Sequence, residues 1–167
     1  MTRTVSYRRC NRLVVLTGLS LLCGCCSFEN KWKAAAAQES TATTTTTTSA
    51  SAGIEGRWEG TWQSDGNKHS GGLRCIVTKT GDDAYAAEYK ATYWGIFRFG
   101  YAMPLTIKQR DDSSAGKTAF AGEADLGWLA GGVYRYDGTA DGTDFLCKYD
   151  SKYDVGTFTM KRPKAGE

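Results

Sequence analysis

The chain has little histidine, little proline, no long apolar run and no charge of one sign in excess over its folded part. His69 is the single histidine in 167 residues. A Ser-His-Asp triad would have to be built on it, and no nucleophile-elbow pattern accompanies it. A zinc site needs three or four clustered ligands. Beyond residue 26 the sequence offers only His69, Cys75 and Cys147 for a Cys/His set. No catalytic constellation, metal set or cofactor is therefore expected. Pro104 and Pro163 are the only prolines, so the backbone is free to form strands almost throughout. The formal charge of +3 is misleading. Residues 54–163 hold 14 Lys and Arg against 15 Asp and Glu, so the excess lies outside them. Without a basic patch to neutralise phosphates, nucleic acid is not an expected partner.

What is present begins with an export pattern. Arg3, Arg8, Arg9 and Arg12 precede an apolar run, Leu13 to Leu22, with no acidic residue among them. A spanning helix needs about 20 apolar residues, and this run is shorter. A basic stretch, a short apolar core and then small residues form a secretory signal. Leu22-Cys23-Gly24-Cys25 resembles the lipobox of bacterial lipoproteins, with Leu three residues before the acceptor and a small residue just before it. The resemblance implies a signal peptide over 1–24 and lipidation, palmitate included, at Cys25. It also implies a membrane partner reached through that anchor in the bacterial cell envelope, at the outer membrane if the host is diderm. Cys23 stands where the pattern usually has Ala or Ser.

From Cys25 to Gly53 the chain is rich in Ala, Thr and Ser, including Ala34 to Ala37 and Thr43 to Thr48. Such a composition buries little apolar area to offset ordering entropy, so a disordered tether is expected over 25–53. Residues 54–163 form the expected domain and 164–167 a tail.

Aromatic and apolar residues recur there with period two, the pattern of half-buried strands. Trp58, Gly60 and Trp62 share one face; Leu73, Cys75 and Val77 another; Tyr85, Ala87, Tyr89, Ala91 and Tyr93 a third. Phe97 to Met103, Phe120 to Leu126, Tyr134 and Tyr136, Phe145 to Tyr149, and Phe158 with Met160 complete eight such strands. Asp65-Gly66, Gly81-Asp82-Asp83, Asp137-Gly138 and Asp141-Gly142 supply turn chemistry. Short connections imply antiparallel neighbours. The expected fold is all-β, a small eight-stranded antiparallel up-and-down barrel, which removes exposed edges. An open sandwich of two four-stranded sheets is the alternative.

Gly56-Arg57-Trp58 resembles the Gly-x-Trp motif that opens the first strand of lipocalins and their calycin relatives. Those barrels carry a late basic residue over the tryptophan, which the resemblance places at Arg162 above Trp58. Gly60-Thr61-Trp62 through Leu73 is similar to the opening of avidin-type barrels. The resemblance implies a fold and no particular ligand.

The site candidates follow from the pattern of inward residues. Trp62, Tyr89, Tyr93, Tyr101, Tyr134, Tyr136 and Tyr149 are expected to line a cavity, since buried hydroxyls need partners. A filled core is the alternative, because an eight-stranded interior either fills with side chains or holds one small ligand. Cys75 and Cys147 are a candidate disulfide. It would close 73 residues and contribute roughly 4 kcal/mol through loop entropy. Their strands are not neighbours in such a barrel, and two buried thiols are the alternative. Asp137, Asp141 and Asp144 lack the regular ladder of an EF-hand loop and read as a solvated hairpin. Tyr93-Trp94-Gly95-Ile96-Phe97 and Leu126 to Gly132 are apolar loops that either meet a partner or membrane or fold back over the barrel ends. The function expected is non-enzymatic: a membrane-anchored envelope lipoprotein taking a small apolar or amphipathic ligand. The alternative is a structural or protein-interaction lipoprotein, such as an enzyme inhibitor.

Overall fold

The computed structural model describes residues 24–45, 53–110 and 116–164. The expected signal peptide lies outside them apart from Gly24. A helix, α1 (Gly24–Thr45), precedes eight strands: β1 (Gly56–Ser64), β2 (Ser70–Lys79), β3 (Ala84–Tyr93), β4 (Phe97–Arg110), β5 (Thr118–Asp125), β6 (Val133–Ala140), β7 (Asp144–Ser151) and β8 (Val155–Lys161). Each strand pairs antiparallel with the next. β1 also pairs with β8, Trp62 opposite Phe158, so the sheet closes into an up-and-down barrel.

Side-chain alternation sets the register. Along β7, Phe145, Cys147 and Tyr149 are buried while Leu146, Lys148 and Asp150 are exposed. A one-residue slip would turn all six to the wrong side. One end of the barrel is filled and latched. Trp58 packs on Phe145, which packs on Phe120, with ring centroids 5.4 Å and 4.8 Å apart. The Trp58 indole N–H donates to the Ile54 carbonyl at 2.8 Å. The Arg162 guanidinium lies 3.8 Å from the centre of the Trp58 ring. It donates to the carbonyls of Arg57 at 3.2 Å and Gly53 at 2.8 Å. Gly56 has φ +108°, and a Cβ there would stand 2.6 Å from Arg162 Nη1. The glycine of the opening motif therefore makes room for the latch, and its backbone conformation is one that L side chains rarely adopt.

The disordered tether expected over 25–53 is corrected by α1 as far as Thr45; residues 46–52 lie outside the described residues. Ala34 to Ala37 are the strongest helix formers, and Phe28 and Trp32, one turn apart, meet the same surface. That surface is the outer face of β1 to β3, where Phe28 and Trp32 cluster with Ile76. Trp32 lies between two guanidinium groups, 5.0 Å from Arg57 and 5.1 Å from Arg74. Glu39 accepts from Arg57 Nε at 2.9 Å, Glu29 pairs with Lys90, and Lys31 with Glu88. Composition averaged over a Thr-rich window conceals this spacing of two aromatics and three charges.

Candidate functional site

At the end opposite the latch the barrel is open. Its rim consists of the β1–β2, β3–β4, β5–β6 and β7–β8 connections. A cavity of about 280 Å³ enters there. Trp62, Tyr93, Tyr101, Tyr134, Tyr136 and Tyr149 line it, together with Leu73, Ala91, Phe99, Leu126, Asp154 and Phe158. Each position follows from strand parity and height. Trp62 is near the end of β1, Ala91 and Tyr93 near the end of β3, and Phe99 and Tyr101 near the start of β4.

Tyr89 is the one member of the expected lining that does not reach the cavity. It stands lower on β3, stacked on Tyr101 at 5.1 Å and tilted against Phe158 at 5.6 Å. The three rings form a floor. The Tyr89 hydroxyl is buried beside the Cys75 thiol and makes no hydrogen bond of good geometry among the described residues. Burial pushes the phenol well above its ordinary range, and so keeps it neutral.

The tyrosines stack as a continuous wall, Tyr101–Tyr136 at 6.3 Å and Tyr134–Tyr136 also at 6.3 Å. Tyr136 donates its hydroxyl proton to the Tyr101 oxygen at 3.2 Å. Desolvation raises both phenols. At the mouth, Asp154 is the only charged residue of the lining among the described residues. It accepts from Ser64 Oγ at 2.5 Å and from the Tyr149 hydroxyl at 3.1 Å. Desolvation, and then this carboxylate, raise the Tyr149 phenol. The site is thus an apolar, aromatic cup whose rim carries one carboxylate and several hydroxyls. It can bury a small apolar body and accept a hydrogen bond from a polar end.

The candidate disulfide is corrected: Cys75 and Cys147 are free and buried. They sit on β2 and β7, which are separated by β1 and β8 in the closed sheet. Burial pushes the Cys147 thiol up to about 12 and the Cys75 thiol well above its ordinary value. Both are small core hydrophobes, and a thiolate nucleophile is strongly disfavoured.

The remaining candidates lie elsewhere. His69 is exposed on the rim, its ring 5.9 Å from that of Trp94. Among the described residues no three His, Cys, Asp or Glu side chains gather as a metal group. Asp141 caps the β6–β7 turn by accepting the amide protons of Thr143 and Asp144, both at 2.8 Å, and these bonds lower its pKa. Asp137 pairs with Lys108 at 2.7 Å and Asp144 with Lys161 at 3.6 Å. Cys25 falls in the first turn of α1. The tyrosine pattern misses the lining residues Leu73, Ala91, Phe99, Leu126, Phe158 and Asp154; the first five belonged to inward faces readable in the sequence, though their height along the barrel was not, and the turn residue Asp154 carried no such signal. No known protein family, curated protein or solved structure matches this chain.

Proposed function

We propose that this protein is a membrane-anchored envelope lipoprotein, lipidated at Cys25, whose barrel binds one small apolar or amphipathic molecule without catalysis. The open aromatic cup is the observation that carries the reading. Its volume of about 280 Å³ lies just below the ordinary range of ligand pockets, which favours a small ligand or the end of a chain over a bulky one. The walls are apolar, and Asp154 offers negative charge at the mouth, so a neutral or donor-bearing head suits the site better than an anion. The non-enzymatic reading is supported by the engagement of Asp154 with Ser64 and Tyr149, and by the position of His69 outside the cup.

The neutral fluorophore N-phenylnaphthylamine tests the cup. It is expected to bind the full chain in detergent, and to bind Ala91→Phe, which fills the cup from β3, at least tenfold more weakly. Equal binding by the two proteins would refute the cup as the site. Metabolic labelling with palmitate checks the anchor: the label is expected in the wild type and absent from Cys25→Ser.

A further inference from the structure

The two ends of the barrel differ sharply. Eleven large hydrophobic side chains are exposed among the described residues, and ten of them lie at the open end, Leu146 being the exception. The most exposed are Trp94, Ile96 and Phe97 of the β3–β4 hairpin, Trp128 and Leu129 of the β5–β6 connection, and Tyr153 of the β7–β8 turn, each between 62% and 86% exposed. Apolar surface on this scale marks an interaction site.

The loops hold these side chains outward by defined backbone geometry. Trp94 and Gly95 both have positive φ, 49° and 72°. Ile96 N donates to the Tyr93 carbonyl at 3.1 Å. This is the two-residue turn with both central residues left-handed, which needs glycine or tolerates strain. The β5–β6 connection is a single 3-10 turn, Trp128–Ala130, between Gly127 and Gly131, both at positive φ. Amide bonds from Leu126 to Gly132 and from Gly132 to Gly127, each 2.9 Å, tie it off. Leu126 turns in to line the cup, while Trp94, Ile96, Trp128 and Leu129 stay exposed as tips.

Three features select the occupant. The tips are separate convex points around a hole, a poor match for the dense packing of a protein interface, yet each can enter a fluid acyl layer. Tryptophan and tyrosine are the residues favoured at the membrane–water boundary. The rim also carries Lys68 and Lys152 against Asp65, Asp125 and Asp154, so it has no positive excess to draw it to anionic lipid. In addition, α1 points its N-terminus at this end. Glu39 meets Arg57 near the latch, whereas Glu29 meets Lys90, three residues below the end of β3. Cys25 lies four residues beyond Glu29 in the same direction, about 6 Å at the helical rise, which brings it towards the level of the rim.

We infer that the open end docks on the surface of a phospholipid bilayer, with Trp94, Trp128 and their apolar neighbours in the interfacial layer and the cup facing the lipid. The inference rests partly on the reading of Cys25 as the lipidated residue, and it deepens the proposed function by naming the surface from which the ligand enters. The tryptophans make it measurable. Trp32, Trp58 and Trp62 are buried, while Trp94 and Trp128 are exposed. The full lipidated chain is reconstituted into phosphatidylcholine vesicles with brominated acyl chains, and tryptophan emission is compared with that in unbrominated vesicles.

Docking predicts quenching of the emission from Trp94 and Trp128, protection of both from aqueous iodide, and loss of most of the quenching in the Trp94→Phe/Trp128→Phe double variant. It also predicts little change in the quenching when 0.5 M salt or anionic lipid is added. Unquenched emission with full iodide access overturns the inference, whether the rim then faces water or a protein partner. N-phenylnaphthylamine binding to the same preparation in detergent separates the two claims. Binding without quenching refutes docking alone, and quenching without binding refutes the cup alone.

Discussion

Arg162 is the residue on which closure converges. It covers the face of Trp58 and satisfies two carbonyls that precede or begin β1, from the far end of the sheet. Burial pulls its pKa below the ordinary guanidinium value. Replacing Arg162 by Ala removes the ring contact and strips both carbonyls of their donor. Together these are expected to cost about 2–4 kcal/mol, read as a lower urea midpoint with an unchanged slope. Lysine at this position keeps a charge but lacks the planar fork that reaches both carbonyls, so Arg162→Lys should recover less than half of the loss.

At the scale of elements, α1 is held by charges as much as by rings. Hydrogen bonding and attraction from Lys90, with smaller help from Arg74, hold the Glu29 carboxyl below its ordinary value. A lowered carboxylate stabilises the docked helix fully above its unfolded value, and this contribution fades as pH falls through the folded one. Hydrogen exchange is therefore expected to lose protection in residues 28–40 as pH drops below about 4.5, with β5 to β7 still protected. Trp32→Ala should produce the same selective loss at neutral pH. Unchanged protection in either experiment would mean that the helix is held by other contacts.

The strands themselves were legible because their inward faces repeat with period two over eight segments, and turn residues separate most of them. The helix was not legible from composition, since only Phe28, Trp32 and the charges around them bind it to the barrel. One signal for it did exist. Ile76 places an apolar side chain on the outer face of β2, between inward Cys75 and Val77, and an apolar residue on an otherwise polar face asks for a cover. The cup was legible as a set of tyrosines but not as a depth. Parity tells which side a residue faces, whereas its height depends on strand stagger, and that is why Tyr89 forms floor and not wall.

For the whole molecule, the interior divides into a packed half and a hollow half. Phe145 and Phe120 are completely buried at the latched end, where Phe145 packs on Trp58, whereas Tyr134 lies at the open end beside the cavity. Truncating a packed ring leaves a void that cannot collapse, so Phe145→Ala should cost about 3–5 kcal/mol. Truncating Tyr134 enlarges a space that already exists and should cost under about 1.5 kcal/mol, while altering probe binding. Thermal or urea unfolding of the two variants checks the contrast. Equal losses would show that the mouth contributes to stability as the base does.

Closure of β1 on β8 also has a consequence in time. The Arg57–Arg162 contact joins residues 105 positions apart, and the β1–β8 ladder can form only after the intervening strands have been made. Non-local pairing of this kind slows folding. A chain interrupted before Val155 would hold both β1 and β7 as unpaired edges, open to neighbouring chains. The seam that removes every edge from the finished barrel is thus the last feature to exist, and the interval before it zips is when the nascent protein is most exposed to aggregation.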